Sequence, residues 1–265
     1  MLRDHWRGIG RLLAGITLAL VFVAPLQAAT QAHRVLFVGN SLTYVNNLPS
    51  AFASLAPEGM DVRVDGFAWP GARLQDDVGN ATLERLLARG HYTDVVFQER
   101  GGDAVCGFDA AACDSWADTS GTARASLTLA NAARAGGARV FYLGTYQLSP
   151  KVVPWLVRGE SRMARVMEAT YIELGATWMR VRAQHPNADW LAPDGMHPGH
   201  ATTALMALRS WRAVMGVIST RIPCVAGPLF TKAPSADGYF HGTASGAPST
   251  CLVDKSLVFS LSALP

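Results

Sequence analysis

The sequence predicts a three-layer α/β/α sandwich on a mainly parallel sheet, and two observations carry that prediction. Short runs rich in Val, Phe and Tyr alternate with segments of helical periodicity, and several of those segments end on glycine. The first run, Val35, Leu36, Phe37 and Val38, is apolar at consecutive rather than alternate positions, as a strand covered on both faces requires.

The other elements follow in order. DVRVDGFAW (61–69), TDVVFQE (93–99), ARVFYLGTYQ (138–147) and TWMRV (177–181) read as further strands. Between them LPSAFASLA from Leu48, ATLERLLARG ending at Gly90, GTARASLTLANAARAGG ending at Gly136 and ESRMARVMEATYIELG ending at Gly175 read as helices, with HATTALMALRSWRAVMG as the last. The glycines closing three of them are expected in the left-handed conformation of a C-terminal cap. From about Arg221 the composition turns to Gly, Pro, Ser and Thr without periodicity, predicting an irregular or short-stranded tail. No internal repeat is visible.

The amino terminus carries Arg3, Arg7 and Arg11, an apolar run from Leu12 to Leu26, then small residues. That is the layout of a secretory signal over 1–29 cleaved after Ala28 or Ala29, with an uncleaved anchor as the alternative. The expected organisation is therefore a signal over 1–29, an α/β domain over 30–220, and a tail over 221–265 packed on it. Localisation follows as secreted or periplasmic, without stable membrane insertion after cleavage. The formal charge of +3 includes three arginines against Asp4 in that leader, so the remainder carries +1 and nucleic-acid binding has little electrostatic support. In an exported chain Cys106, Cys113, Cys224 and Cys251 read as two disulfides, and short loop closure favours Cys106 with Cys113 and Cys224 with Cys251. A zinc site is the rival, without a C-x-x-C pair to support it.

Ser41 follows the first strand directly, in Gly39-Asn40-Ser41, where parallel α/β sheets place their chemistry. A serine hydroxyl needs a base to take its proton and a carboxylate to orient that base. Far downstream LAPDGMHPGH supplies Asp194 and His197 three residues apart, before the last helix. Taken singly, each has a plain structural role: a turn or cap for Ser41 and Asp194, packing for His197.

Over about residues 34–215 the chain resembles the SGNH, or GDSL-like, hydrolases. GNSLT resembles the family's nucleophile block, DGMHP its Asp-x-x-His block, and PGARL the block whose glycine, here Gly71, donates a backbone N–H to the oxyanion hole. The resemblance implies a serine esterase with the triad Ser41, His197 and Asp194, acting through an acyl-enzyme with no cofactor and no metal. It also implies an oxyanion hole from Ser41 N–H, Gly71 N–H and a side-chain amide. One block departs: the family's Gly-x-Asn-Asp is VVFQERGGD here, and Gln98 stands in as the expected amide donor, as in related carbohydrate esterases with a glutamine-led block. Asn40 is either a turn residue or a brace of the nucleophile loop.

The expected partner is a small-molecule or carbohydrate ester, short-chain or acetyl, with Trp69, Trp116, Trp155, Tyr44 and Tyr146 as candidate sugar or acyl contacts or as core. Three other readings are open: an O-acyltransferase with the same triad, an inactive exported carbohydrate-binding protein, and a metal site from Asp194, His197 and His200.

Overall fold

The computed structural model describes residues 32–108, 121–216, 224–227, 232, 235–242 and 250–263. The leader read as a signal lies outside them, as do Cys113, with its expected bond to Cys106, and Trp116. Among the described residues no helix is long and apolar enough to cross a membrane.

The chain runs β1 (His33–Gly39), α1 (Ser41–Tyr44), α2 (Leu48–Ala53), β2 (Val62–Ala68), α3 (Leu74–Asp77), α4 (Ala81–Arg89), β3 (Asp94–Gln98) and α5 (Asp103–Cys106). It continues through α6 (Thr122–Ala135), β4 (Arg139–Leu143), α7 (Val153–Val166), β5 (Thr170–Ile172), α8 (Gly175–Gln184) and α9 (His200–Met215). Beyond these lie β6 (Ala226–Gly227), β7 (Tyr239–His241), β8 (Thr250–Cys251) and α10 (Lys255–Ser262).

The main sheet has the order β5-β4-β3-β1-β2-β7, with β1 to β5 parallel and β7 antiparallel on the edge. Strand pleating sends successive side chains to opposite faces. Val35 and Phe37 enter one apolar cluster with residues of α2, α8, α9 and α10, whereas Leu36 and Val38 enter the other with residues of α4, α6 and α7. All four are fully buried, which is the physical reason the run is apolar at every position. Because the chain steps from β1 outward to β2 and then returns to β3 on the other side, the order reverses between β1 and β3. A crevice opens at such a reversal, beyond the strand carboxyl ends.

The structure corrects three expectations. TWMRV is not a strand: Thr177 to Val181 lie within α8, and the edge strand is Thr170–Ile172, inside the stretch expected to be helical. The helix instead spans Val153–Val166, because Glu168 adopts a left-handed φ of 50° and the Ala169 N–H returns to the Ala164 carbonyl. Gly90 and Gly136 are not left-handed, with φ of −72° and −77°; the left-handed cap of α6 falls one residue on, at Gly137, with φ of 91°. Glycine is needed at both for close approach, since a Cβ would collide with the Tyr92 ring at Gly90 and with the Leu87 carbonyl at Gly136. Gly175 does not close a helix but begins α8.

The tail forms the short β6–β8 pair joined by the Cys224–Cys251 disulfide, and it adds β7 to β2. It also holds an unexpected helix, α10, capped by Asp254 through the Leu257 N–H. Val225, Leu252, Val258 and Leu261 are buried in the same cluster as α9, so these parts of the tail complete one core.

Candidate active site

Ser41 is the first residue of α1, directly beyond the carboxyl end of β1. A Cβ at Gly39 would collide with Thr43 Oγ1 and Gln98 Oε1, so only glycine lets the Ser41 turn lie this close to the end of β3. Asn40 caps α1 by accepting the Leu42 N–H at 3.1 Å, and its amide donates to the Ala72 carbonyl at 3.1 Å. Asn40 is 1% exposed, so the open alternative resolves toward a brace: one buried side chain ties the Ser41 turn to the Gly71 loop.

Gly71 has a left-handed φ of 67°, in the loop after β2. Three residues on, the Leu74 N–H donates to both carboxylate oxygens of Glu99, at 3.2 and 3.3 Å, and the Arg100 N–H donates to the same carboxylate at 2.7 Å. Glu99 is buried, which pushes its carboxyl up to about 8 against the pull of these two backbone donors. The loop is thus fixed from two sides, by Asn40 on Ala72 and Glu99 on Leu74. Glu99 was not singled out in the sequence; the only local signal is a carboxylate directly after a strand, and its bond to Leu74 is 25 residues away.

His197 and Asp194 meet as the spacing predicts. His197 Nδ1 is 2.6 Å from one Asp194 oxygen, while the other accepts the Met196 and His197 N–H groups at 2.9 and 3.0 Å. The bond from the imidazole, followed by these backbone bonds, draws the Asp194 carboxyl down to about 2. A carboxylate on Nδ1 assigns that nitrogen the proton and leaves Nε2 as the basic lone pair. His200 turns elsewhere, with its Nδ1 3.2 Å from Asp189, so the structure does not bring it to Asp194 and His197.

Ser41, Gly71 and His197 line one cavity of about 490 Å³. Among the described residues no hydrogen bond joins Ser41 to His197, and neither the Ser41 nor the Gly71 N–H is taken by an acceptor. Catalytic hydrogen bonds of this kind commonly tighten only when substrate binds. Leu42, Tyr44, Pro70, Leu148 and Met196 form the apolar part of the wall, and Arg100 and Gln147 the polar part.

Gln98 is not brought into this cavity. It is 1% exposed beneath the Ser41 turn; its amide nitrogen donates to the Glu99 carbonyl and its oxygen accepts the Thr43 hydroxyl at 2.9 Å. Its place at the end of β3 was legible, but its direction was not, because that depends on Thr43, 55 residues away. Of the aromatics, Tyr44 and Tyr146 line the cavity, Trp69 packs edge-on against Phe67, and Trp155 is exposed with Arg158 over its ring at 4.7 Å.

No family model and no curated protein matches the chain. Solved structures do. The protein is similar to TesA, at a TM-score of 0.51 and 22% identity over 69% of this chain and 98% of that one. It is similar to a catalytic mutant of Axe2, an acetylxylan esterase from Geobacillus stearothermophilus, at 0.54 and 13% over 68% and 93%. A DUF4886 family protein from Bacteroides uniformis matches at 0.53 and 14% over 72% and 86%. The fold is that of the SGNH hydrolases. At these identities the likeness speaks for the architecture.

Proposed function

We propose that the protein is an exported SGNH-type serine esterase acting on short-chain esters, acetyl groups on carbohydrate among them. The observation that carries the reading is the convergence on one cavity of Ser41, Gly71 and a His197 whose Nδ1 is held by Asp194 at 2.6 Å. Two of the structural neighbours are named as acetylxylan esterases, which supports acetylated carbohydrate as the substrate class. The apolar leader and the Cys224–Cys251 bond support export.

In this reading His197 Nε2 takes the Ser41 proton as Oγ attacks the ester carbonyl. The new oxyanion is stabilised by the Ser41 and Gly71 N–H groups, each donor lowering the barrier by roughly 3 kcal/mol. The imidazolium, paired with Asp194, returns its proton to the departing alcohol and leaves Ser41 acylated. Water activated by the same nitrogen releases the acid. Backbone donors carry the hole, because the Gln98 amide is buried outside the cavity, with the Glu99 carbonyl as its acceptor.

Purified mature protein, assayed on acetylated xylo-oligosaccharides, short nitrophenyl esters and long-chain lipids, should prefer the first two. A fluorophosphonate should label Ser41, and Ser41→Ala should abolish turnover. Wild-type turnover by Ser41→Ala removes the nucleophile assignment.

A further inference from the structure

His197 is flanked by Met196 and Pro198, and the backbone carbonyl of each accepts a hydrogen bond from a side chain of a distant element. Tyr146, in the loop after β4, donates its hydroxyl to the Met196 carbonyl at 2.8 Å. Asn46, two residues beyond the nucleophile helix α1, donates its amide to the Pro198 carbonyl at 2.8 Å and to Thr203 Oγ1 at 3.2 Å. We infer that Asn46 and Tyr146 are positioning residues that clamp the backbone on both sides of His197 and thereby set its imidazole against Ser41. The inference rests on the esterase reading and goes beyond it.

Each clamp is itself held. Asn46 has a left-handed φ of 58°, a conformation asparagine tolerates better than most residues, and this turn aims the side chain across 152 positions of sequence to Pro198. Ser41 and Asn46 share one short segment, so displacement of the nucleophile turn is transmitted to the histidine turn through a single amide. The Tyr146 ring is 8% exposed and stacks on Trp178 at 5.0 Å and 20°, which fixes the hydroxyl over the histidine turn. Burial, with Asp194 nearby, pushes this phenol well above its ordinary value, so it stays a donor at every working pH. Asp194 orients the imidazole from within its own turn, and the backbone bonds of that turn run to Asp189, Trp190 and Ala192 of the same segment. The two long-range bonds tie it to the loops beyond β1 and β4.

The test uses variants that delete the donor and spare the shape. Asn46→Asp keeps size and tolerates the backbone conformation, and Tyr146→Phe keeps the stack on Trp178. Each should lower kcat roughly ten- to a hundredfold with KM little changed, since small misplacement of a reacting group has effects of this size. The rate of fluorophosphonate labelling at Ser41 should fall in proportion, because that reaction also needs the base; a change confined to folding moves neither in the folded fraction. If Asn46→Asp does not fold, Asn46→Gly and Tyr146→Phe carry the test. Folded variants with wild-type kcat, or with reduced kcat and undiminished labelling, overturn the inference while the esterase reading stands. Turnover that survives Ser41→Ala removes that reading and this inference with it.

Discussion

Replacing Asn40 tests whether the two backbone donors of the proposed oxyanion hole are held in register by one side chain. Asn40 has extended backbone, with φ of −140° and ψ of −151°, so alanine adopts its conformation without strain and the loss is confined to the side chain. Removing the cap on Leu42 destabilises by about 1 kcal/mol. Leaving the buried Ala72 carbonyl without its donor adds about 1–3 kcal/mol. Asn40→Ala should therefore lower unfolding stability by about 2–4 kcal/mol in urea titrations with an unchanged m-value. Complete loss of one oxyanion donor costs about 10² to 10³ in kcat, and a loosened Gly71 loop retains part of it, so kcat should fall roughly ten- to a hundredfold. Asn40→Ser keeps a capping oxygen but does not reach Ala72, so it should recover the smaller part of the stability and little of the turnover. Wild-type kcat in an Asn40→Ala enzyme that shows the expected destabilisation would refute the reasoning, since Asn40 would then brace the fold and not the hole.

The remaining expectations concern groups around the same turn and the tail. Gln98→Ala should lower stability through the lost Thr43 bond while reducing kcat less than tenfold; a loss of 10² to 10³ would return its amide to the oxyanion hole. Glu99 holds its proton more tightly folded, at about 8, than unfolded, so its contribution to stability is full below about pH 4.5 and is lost as pH rises toward 8. Asp77 and Glu160, each pushed up to about 7 by burial, act with the same sign, so Glu99→Gln should flatten the wild-type slope by about 1.4 kcal/mol per pH unit between pH 5 and 8 rather than abolish it. Identical slopes in the two proteins would show that Glu99 is ionised throughout. Replacing Cys224 and Cys251 by serine should lower stability by about 3.5 kcal/mol in the chain-entropy account of a 27-residue separation, with turnover at low temperature unchanged; equal melting temperatures would refute it.

Sequence alone determined what depends on neighbours along the chain. Val35 to Val38 are apolar at every position because both faces of β1 are covered, so the parallel sheet was legible in four residues. The Asp194–His197 pair was legible for the same reason of locality: every bond made by the carboxylate is to residues two or three positions away. Tertiary structure decided whatever depends on a distant partner. TYI is a strand and TWMRV a helix because Phe141 to Leu143 of β4 pair with Thr170 to Ile172, while Trp178 packs beneath Tyr146 and against Trp190. Gln98 reads as a donor at a strand end, yet Thr43 and the Glu99 carbonyl turn its amide away from the cavity. Asn46 and Tyr146 have no local signature at all, since the carbonyls they hold lie 152 and 50 residues further along the chain. A hydrogen bond between such residues forms only after the sheet has brought its strand ends together, and no period or motif in the sequence records its direction.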